Sequence, residues 1–555
     1  MNRGTAAALG ALLVGLSTPS APSALGHGQE QHTHHATAEV AGLGAVSFAN
    51  SGAAAAQAPF QRGLAFLHSF EYDQAAEAFR AAQTADPSFA MAFWGEAITY
   101  SHLLWGEDDA DAARRVLARL AASRDGRLGK AGTPRERAFG EAIEALFVDG
   151  TLPERVRGFS DAMHVVALAY PDDLDAASFA ALASMFAAYN GDLSAVERQA
   201  ARDAAIDFAQ RVFTANPNHP GGAHYLIHAC DEPSLAARGL EAARRYAQIA
   251  PEAEHALHMP SHIFVQLGLW RDTVASNERS WAASQKEVAA LKETNADLSF
   301  HALLFQQYAE LQLGQYRASR ASIARAREAL AGVDLSSGHR VDARHAIQEL
   351  AFQHAANTGD WSAEICRDIG PLPPAAPAGA SDRERAFTGR ARYQWTMAAM
   401  RCGSAEGVLG TLRAQVAAPP TDDPYGPGLR QTLLHAELLA YLAGRPRLDL
   451  QALLAEAASP SRAPVGPPTT LRTEELLGEA QLKAGRPREA IAAYERALQL
   501  TPNRSTALLG LARARHAAGD EAGAADAYRK LLDNWRDADP DLPALAEARS
   551  GAGTK

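Results

Sequence analysis

The chain has 555 residues, of which 47% are hydrophobic and 21% charged, enough to bury an ample core as several domains or one long repeat array. Its net charge of −11 argues against a general nucleic-acid or anionic-membrane binder, since both reward a basic surface. Three cysteines, Cys230, Cys366 and Cys402, lie far apart with no C-x-x-C pair, which excludes a disulfide scaffold; they read as free thiols, with a Cys366–Cys402 bridge left open in an oxidising compartment.

The first residues, MNRGTAAALGALLVGLSTPSAPSALG, pass from Arg3 through an apolar stretch, Ala6 to Leu16, to a small-residue segment with an Ala24-x-Gly26 cleavage site. This predicts a secretory signal over 1–26, too short for a stable membrane span. No Cys follows it for lipid attachment, and no later run reaches about 18 consecutive apolar residues. The mature chain is therefore expected to be exported, periplasmic or secreted, without a membrane span. Residues 27–56 read as a disordered linker in which His27, His32, His34 and His35 form a weak chelating tract or a solvated spacer.

From residue 57 the pattern turns helical and repetitive. Gly63, Ala75, Phe79 and Pro87 keep the mutual offsets of Gly478, Ala490, Tyr494 and Pro502. Gly485, Ala490 and Tyr494 recur at one constant interval as Gly519, Ala524 and Tyr528. A small residue in one helix, then A-x-x-x-F/Y and a terminal Pro in the next, at a period of about 34 residues, resembles the tetratricopeptide repeat family. The likeness is clearest at 56–105 and 471–535. It implies an all-α solenoid of helix pairs, a right-handed superhelix whose A helices line a concave groove. The expected layout is a solenoid over 57–369, a helical segment with Pro/Gly-rich loops over 370–469, a C-terminal repeat pair over 470–540 and a frayed tail over 541–555.

In the register of that family, His224 and His228 of HYLIHACDEP take positions 5 and 9 of one A helix. His258 and His262 of HALHMPSHIF take the same positions one repeat later, and His255 and His301 fall at position 2 of their own repeats. The resemblance implies that all face the groove, with Trp94 at position 5 and His102 at position 13 of an earlier A helix. The aromatics of FWGEAITYSHLLWG also read as core, the acidic run EDDADA reads as a helix start, and Pro260 threatens to kink the second histidine stripe. HYLIHA and HALHMPSHIF further resemble a set of exported bacterial repeat proteins over roughly residues 57–330, which implies a shared site and no particular reaction.

Converging neutral imidazoles suit zinc, copper, nickel or iron. His224, His228, His258 and His262 are the expected ligands, His255 and His301 their replacements or supports, and Asp231 and Glu254 the carboxylates that fix ring tautomers. The leading reading is an exported scaffold that binds a divalent transition metal in its groove. The alternatives are a metal-dependent oxidoreductase or hydrolase on the same site, and a metal-free adaptor holding a protein or peptide. His-Glu-x-x-His, G-x-S-x-G, P-loop and dinucleotide motifs are missing, and Cys230 diverges from His228 on a helix, which disfavours a Cys–His nucleophile.

Overall fold

The computed structural model describes residues 38–40, 42–105, 107–336, 341–403, 405–420, 423–445, 448–457 and 466–553. The expected signal segment and the tract over 27–35 lie outside the described residues. Most of the described chain is helical. Antiparallel pairs follow one another from Ala54–His68 and Tyr72–Ala85 to Ser505–Ala517 and Glu521–Asn534. Two short antiparallel hairpins, Ala38–Val40 with Gly44–Val46 and Ser101–His102 with Glu107–Asp108, are the only sheets among the described residues. No described helix is long and apolar enough to cross a membrane.

The repeat signature works by close packing. The Phe79 ring sits between Gly63 and Gly95, where added Cβ atoms would come within 2.9 and 2.4 Å of it. Tyr494 sits in the same way between Gly478 and Gly510, at 2.6 and 2.2 Å. An aromatic of one B helix thus fills the space left by absent side chains on two successive A helices. Gly95→Ala or Gly510→Ala is expected to cost about 1–3 kcal/mol by overpacking, read as a lower urea midpoint at unchanged helix content. An unshifted midpoint would refute this account of the period.

Four expectations change. Order begins before residue 57: Val46 and Phe48 are fully buried, and Phe48 packs against Phe60, Trp94 and Phe139, because this short apolar run has rings to cover. The tail is not frayed, since Leu545–Gly551 forms a helix with Leu545 and Ala548 buried and Glu547 accepting from Arg513 and Tyr528. Cys366 and Cys402 are not free: a disulfide ties Ala363–Ile369 to Asp382–Cys402, which pack side by side, while Cys230 remains a buried free thiol. Finally, the C-terminal repeats do not stand apart. Trp270 Nε1 donates to the Asn503 carbonyl (3.1 Å), Arg504 to Tyr308 Oη (2.9 Å) and Ser505 Oγ to the Gln312 carbonyl (2.6 Å), so they pack back on the helices of residues 260–316.

A second closure involves Arg383, whose guanidinium pairs with Glu107 of the Ser101–Asp108 hairpin and with Asp342 at 2.8 Å. Elsewhere in the middle segment, His435 joins three helices: its Nδ1 accepts from Tyr393 Oη (2.7 Å) and its Nε2 donates to Thr473 Oγ1 (2.8 Å). Burial, then the Arg472 charge, lowers its pKa from 6.5 to about 3. Between those values the unfolded chain holds a proton that the folded chain refuses, so stability is full above pH 6.5 and falls as pH drops towards 3. His435→Gln should reduce that slope by up to about 1.4 kcal/mol per pH unit, measured by urea unfolding between pH 6.5 and 4.5. An identical slope in the variant is the contrary result.

Candidate metal centre

The helix Pro220–Ala229 starts from a His219 cap with Pro220 in its first turn. It lies so close to its neighbours that Cβ atoms on Gly221 and Gly222 would meet the His68 ring at 2.5 Å and Val212 at 2.7 Å. One turn apart on it stand His224 and His228. The next A helix is divided by Pro260 into Glu254–His258 and Pro260–Leu267. Met259 between them keeps helical angles (φ −51, ψ −37), and Pro260 occupies a first-turn position where no amide proton is needed. Pro260 thus interrupts the helix as its place in the sequence suggested, yet His258 and His262 still meet, Nε2 to Nε2, at 3.0 Å.

The six imidazoles meet, but as two groups of three. Ligand nitrogens of His224, His228 and His255 lie within 4.8 Å of one another, and those of His258, His262 and His301 do the same. The sequence grouped the two i, i+4 pairs around one point. Instead each pair is completed by the position-2 histidine of the following helix, because that residue projects across the inter-helix seam. The two groups adjoin, with His228 and His262 ring centres 6.1 Å apart and those of His255 and His258 6.2 Å apart.

Hydrogen bonds assign the protons. His224 Nδ1 donates to the His68 carbonyl at 2.6 Å. His258 Nδ1 donates to Asn277 Oδ1 at 2.6 Å, and that amide's nitrogen is itself committed to the Thr273 carbonyl. His262 Nδ1 donates to Asp231 Oδ2 at 2.7 Å, while Gln266 holds Oδ1. Each ring then carries its lone pair on Nε2. His258 Nε2 faces His262 Nε2 at 3.0 Å, His224 Nε2 faces His255 Nε2 at 3.2 Å, and His228 Nε2 is buried with no hydrogen-bond partner. Burial first, then neighbouring imidazoles, holds His224, His228, His255, His258 and His301 well below the usual histidine range, so these rings are neutral.

Aromatic rings cover both groups. Phe70 lies 4.3, 5.5 and 5.7 Å from the ring centres of His224, His228 and His255, with Trp105 5.6 Å from His255. Phe305 lies 4.8, 4.7 and 4.9 Å from those of His258, His262 and His301. Phe70 is held at φ 60, a backbone region costly for a bulky side chain, by stacking on Tyr72 and by the imidazoles.

Other expected positions fall elsewhere. Asp231 meets a ring, but Glu254 accepts from Ser280 rather than from an imidazole, and burial raises its pKa. His102 is not on an A helix: Ala90–Ile98 ends early, with the Thr99 amide and hydroxyl both turned back to the Glu96 carbonyl. It lies in the hairpin, stacked 3.9 Å from Tyr72, its Nε2 donating to the Thr99 carbonyl at 2.7 Å. Trp94 lines no groove; it is core, packed among Phe48, Phe139 and Phe179.

One cluster has no counterpart in the sequence reading. His68 Nε2 and His219 Nε2 lie 3.2 and 3.4 Å from Asp175 Oδ1, all three residues buried. His219 Nδ1 accepts the Gly222 amide, which places its proton on Nε2 towards the carboxylate. His68 is hydrogen-bonded to the carboxylate, whereas His219 Nε2 lies at ion-pair distance from it without a hydrogen bond. The cluster's three members come from separate parts of the chain and leave no spacing signal.

Nitrogen-15 NMR of histidine-labelled, chelator-treated protein at neutral pH should show His224, His258 and His262 protonated on Nδ1, with Asp231→Ala releasing His262 alone. A proton on Nε2 of both His258 and His262 in the parent chain would contradict the assignment.

Residues 476–543 match the tetratricopeptide repeat family. No curated protein matches the chain. Among solved structures, a human IFIT1 dimer with m7Gppp-AAAA is similar at 10% identity and a TM-score of 0.38, over 87% of this chain and 96% of that one. A P58(IPK) TPR domain is similar at 12% identity and a TM-score of 0.18, over 90% and 98%.

Proposed function

We propose that this tetratricopeptide repeat chain, matched to the family over residues 476–543, is an exported scaffold that binds a divalent transition metal through its groove imidazoles. One observation carries the reading. His258 and His262 have committed their Nδ1 protons to oxygen acceptors, yet their Nε2 lone pairs are held 3.0 Å apart in a buried site. Two lone pairs at that separation repel unless a cation lies between them. Zinc with ligands at about 2.0–2.1 Å implies nitrogen–nitrogen edges of about 2.9–3.4 Å for bond angles between square and tetrahedral, so the spacing fits. Acceptors behind coordinating histidines are the usual means of orienting them, and His68, Asn277 and Asp231 supply them here.

The residues that would hold metal are His224, His228, His255, His258, His262 and His301. A bound ion of this kind supplies Lewis acidity and a more acidic water. Burial favours an ion over a peptide, because His224 is 0% and His258 2% exposed and a polypeptide has no route to them. Export is supported by the signal-like stretch from Met1 to Gly26 and by the Cys366–Cys402 disulfide, a bond that persists in oxidising compartments.

The test is elemental analysis of the full chain after reconstitution with zinc or copper, in a background where His27, His32, His34 and His35 are replaced by Ser. Bound metal is expected there and lost when His224, His228, His258 and His262 are all changed to Ala. Asp231→Ala should weaken affinity about 10–100-fold. Metal-free parent protein, or equal metal content in parent and quadruple variant, would defeat the proposal.

A further inference from the structure

We propose that the groove holds two ions side by side, one in each histidine triad, so that the scaffold carries a dinuclear centre with open coordination positions. This rests on the metal-binding reading above and goes beyond it in nuclearity and in the class of ligand admitted.

The donor count is the first reason. The six imidazoles gather as two triads, and the usual tetrahedral demand of zinc is four ligands. A single ion held by His224, His228, His258 and His262 would leave the half-buried His255 and the exposed His301 unused, although each lies within 4.8 Å of one pair's ligand nitrogens. Two ions with three nitrogens each use all six.

Repetition is the second reason. His258 and His262 follow His224 and His228 by one repeat period, so consecutive A helices carry the same pair in the same register. The third member comes in both cases from position 2 of the next helix, His255 or His301, although a longer connection, including the Trp270–Leu291 helix, separates the latter. Each triad also has its own anchors and its own cover: the His68 carbonyl and Phe70 for the first, Asn277, Asp231 and Phe305 for the second. One ion needs no such duplication.

Three protein ligands leave a fourth position free, the arrangement of catalytic rather than structural sites. The first triad lies against Phe70 and Trp105, with His228 and His255 partly exposed. The second reaches a cavity of about 90 Å³ lined by His301, Phe305, Glu349, Phe387 and Arg390, with His301 exposed towards it. That volume admits water or another small oxygen-donor ligand. The ion at His258, His262 and His301 is therefore the one that borders this cavity.

Cobalt(II), added alone, is the probe, in the full chain with His27, His32, His34 and His35 changed to Ser. Visible absorption and elemental analysis should give two equivalents for the parent, one after His224→Ala/His228→Ala, one after His258→Ala/His262→Ala, and none when all four are changed. Azide should perturb the cobalt spectrum of the variant that keeps the second triad, and an unchanged spectrum there would contradict an open coordination position. A parent binding one equivalent that either double substitution abolishes would overturn the dinuclear centre while leaving metal binding intact. A parent binding none would remove both. Should a double variant fail to fold by circular dichroism, His255→Gln and His301→Gln replace it, each expected to remove one equivalent; loss of both equivalents from either would overturn the proposal.

Discussion

Buried imidazole nitrogens forced into mutual contact are the constraint around which the N-terminal half of this protein is organised. A neutral imidazole has one proton to give. In His224, His258 and His262 it is given away from the centre, to a carbonyl, an amide oxygen and a carboxylate. What remains inside includes the facing Nε2 atoms of His258 and His262, 3.0 Å apart. Leaving a buried polar group unsatisfied costs about 1–3 kcal/mol, and several such groups gather at one place. An ion that turns this repulsion into coordination would also stabilise the folded chain against the unfolded one.

The scaffold suits that load because its packing is stiff. Glycine pairs clasp Phe79 and Tyr494, so A helices approach one another more closely than larger side chains allow. Close approach is what lets a position-2 histidine reach across to the pair on the preceding helix. The same rigidity holds Phe70 at a positive φ between Tyr72 and three imidazoles. Strain of this kind persists only where surrounding contacts over-determine it, and here it lies against the first triad.

Closure of the array adds a second level of restraint. Arg383 reaches the Glu107 hairpin, and the C-terminal repeats return to Trp270, Tyr308 and Gln312. An open solenoid would let successive repeats flex relative to one another. Here the A helices bearing the triads are braced by segments far away in sequence. The His68–Asp175–His219 cluster contributes to the same bracing, and its contrast with the triads is chemical: there two imidazoles flank a carboxylate, whereas His258 and His262 set nitrogen against nitrogen.

The sequence by itself determined what depends on local periodicity and on contact between consecutive repeats. The helix-pair fold follows from the recurrence of Gly63, Ala75, Phe79 and Pro87 at 478–502, and the stacking of His224 and His228 beneath His258 and His262 follows from the repeat interval that separates them. Tertiary structure alone decided the rest. The division into triads rather than a four-histidine site, the partnership of Cys366 with Cys402 and the docking of the C-terminal repeats all depend on where distant segments arrive. That arrival is set by the accumulated twist and rise of many repeats. Each contributes a small rotation, and no pattern within a single repeat encodes their sum.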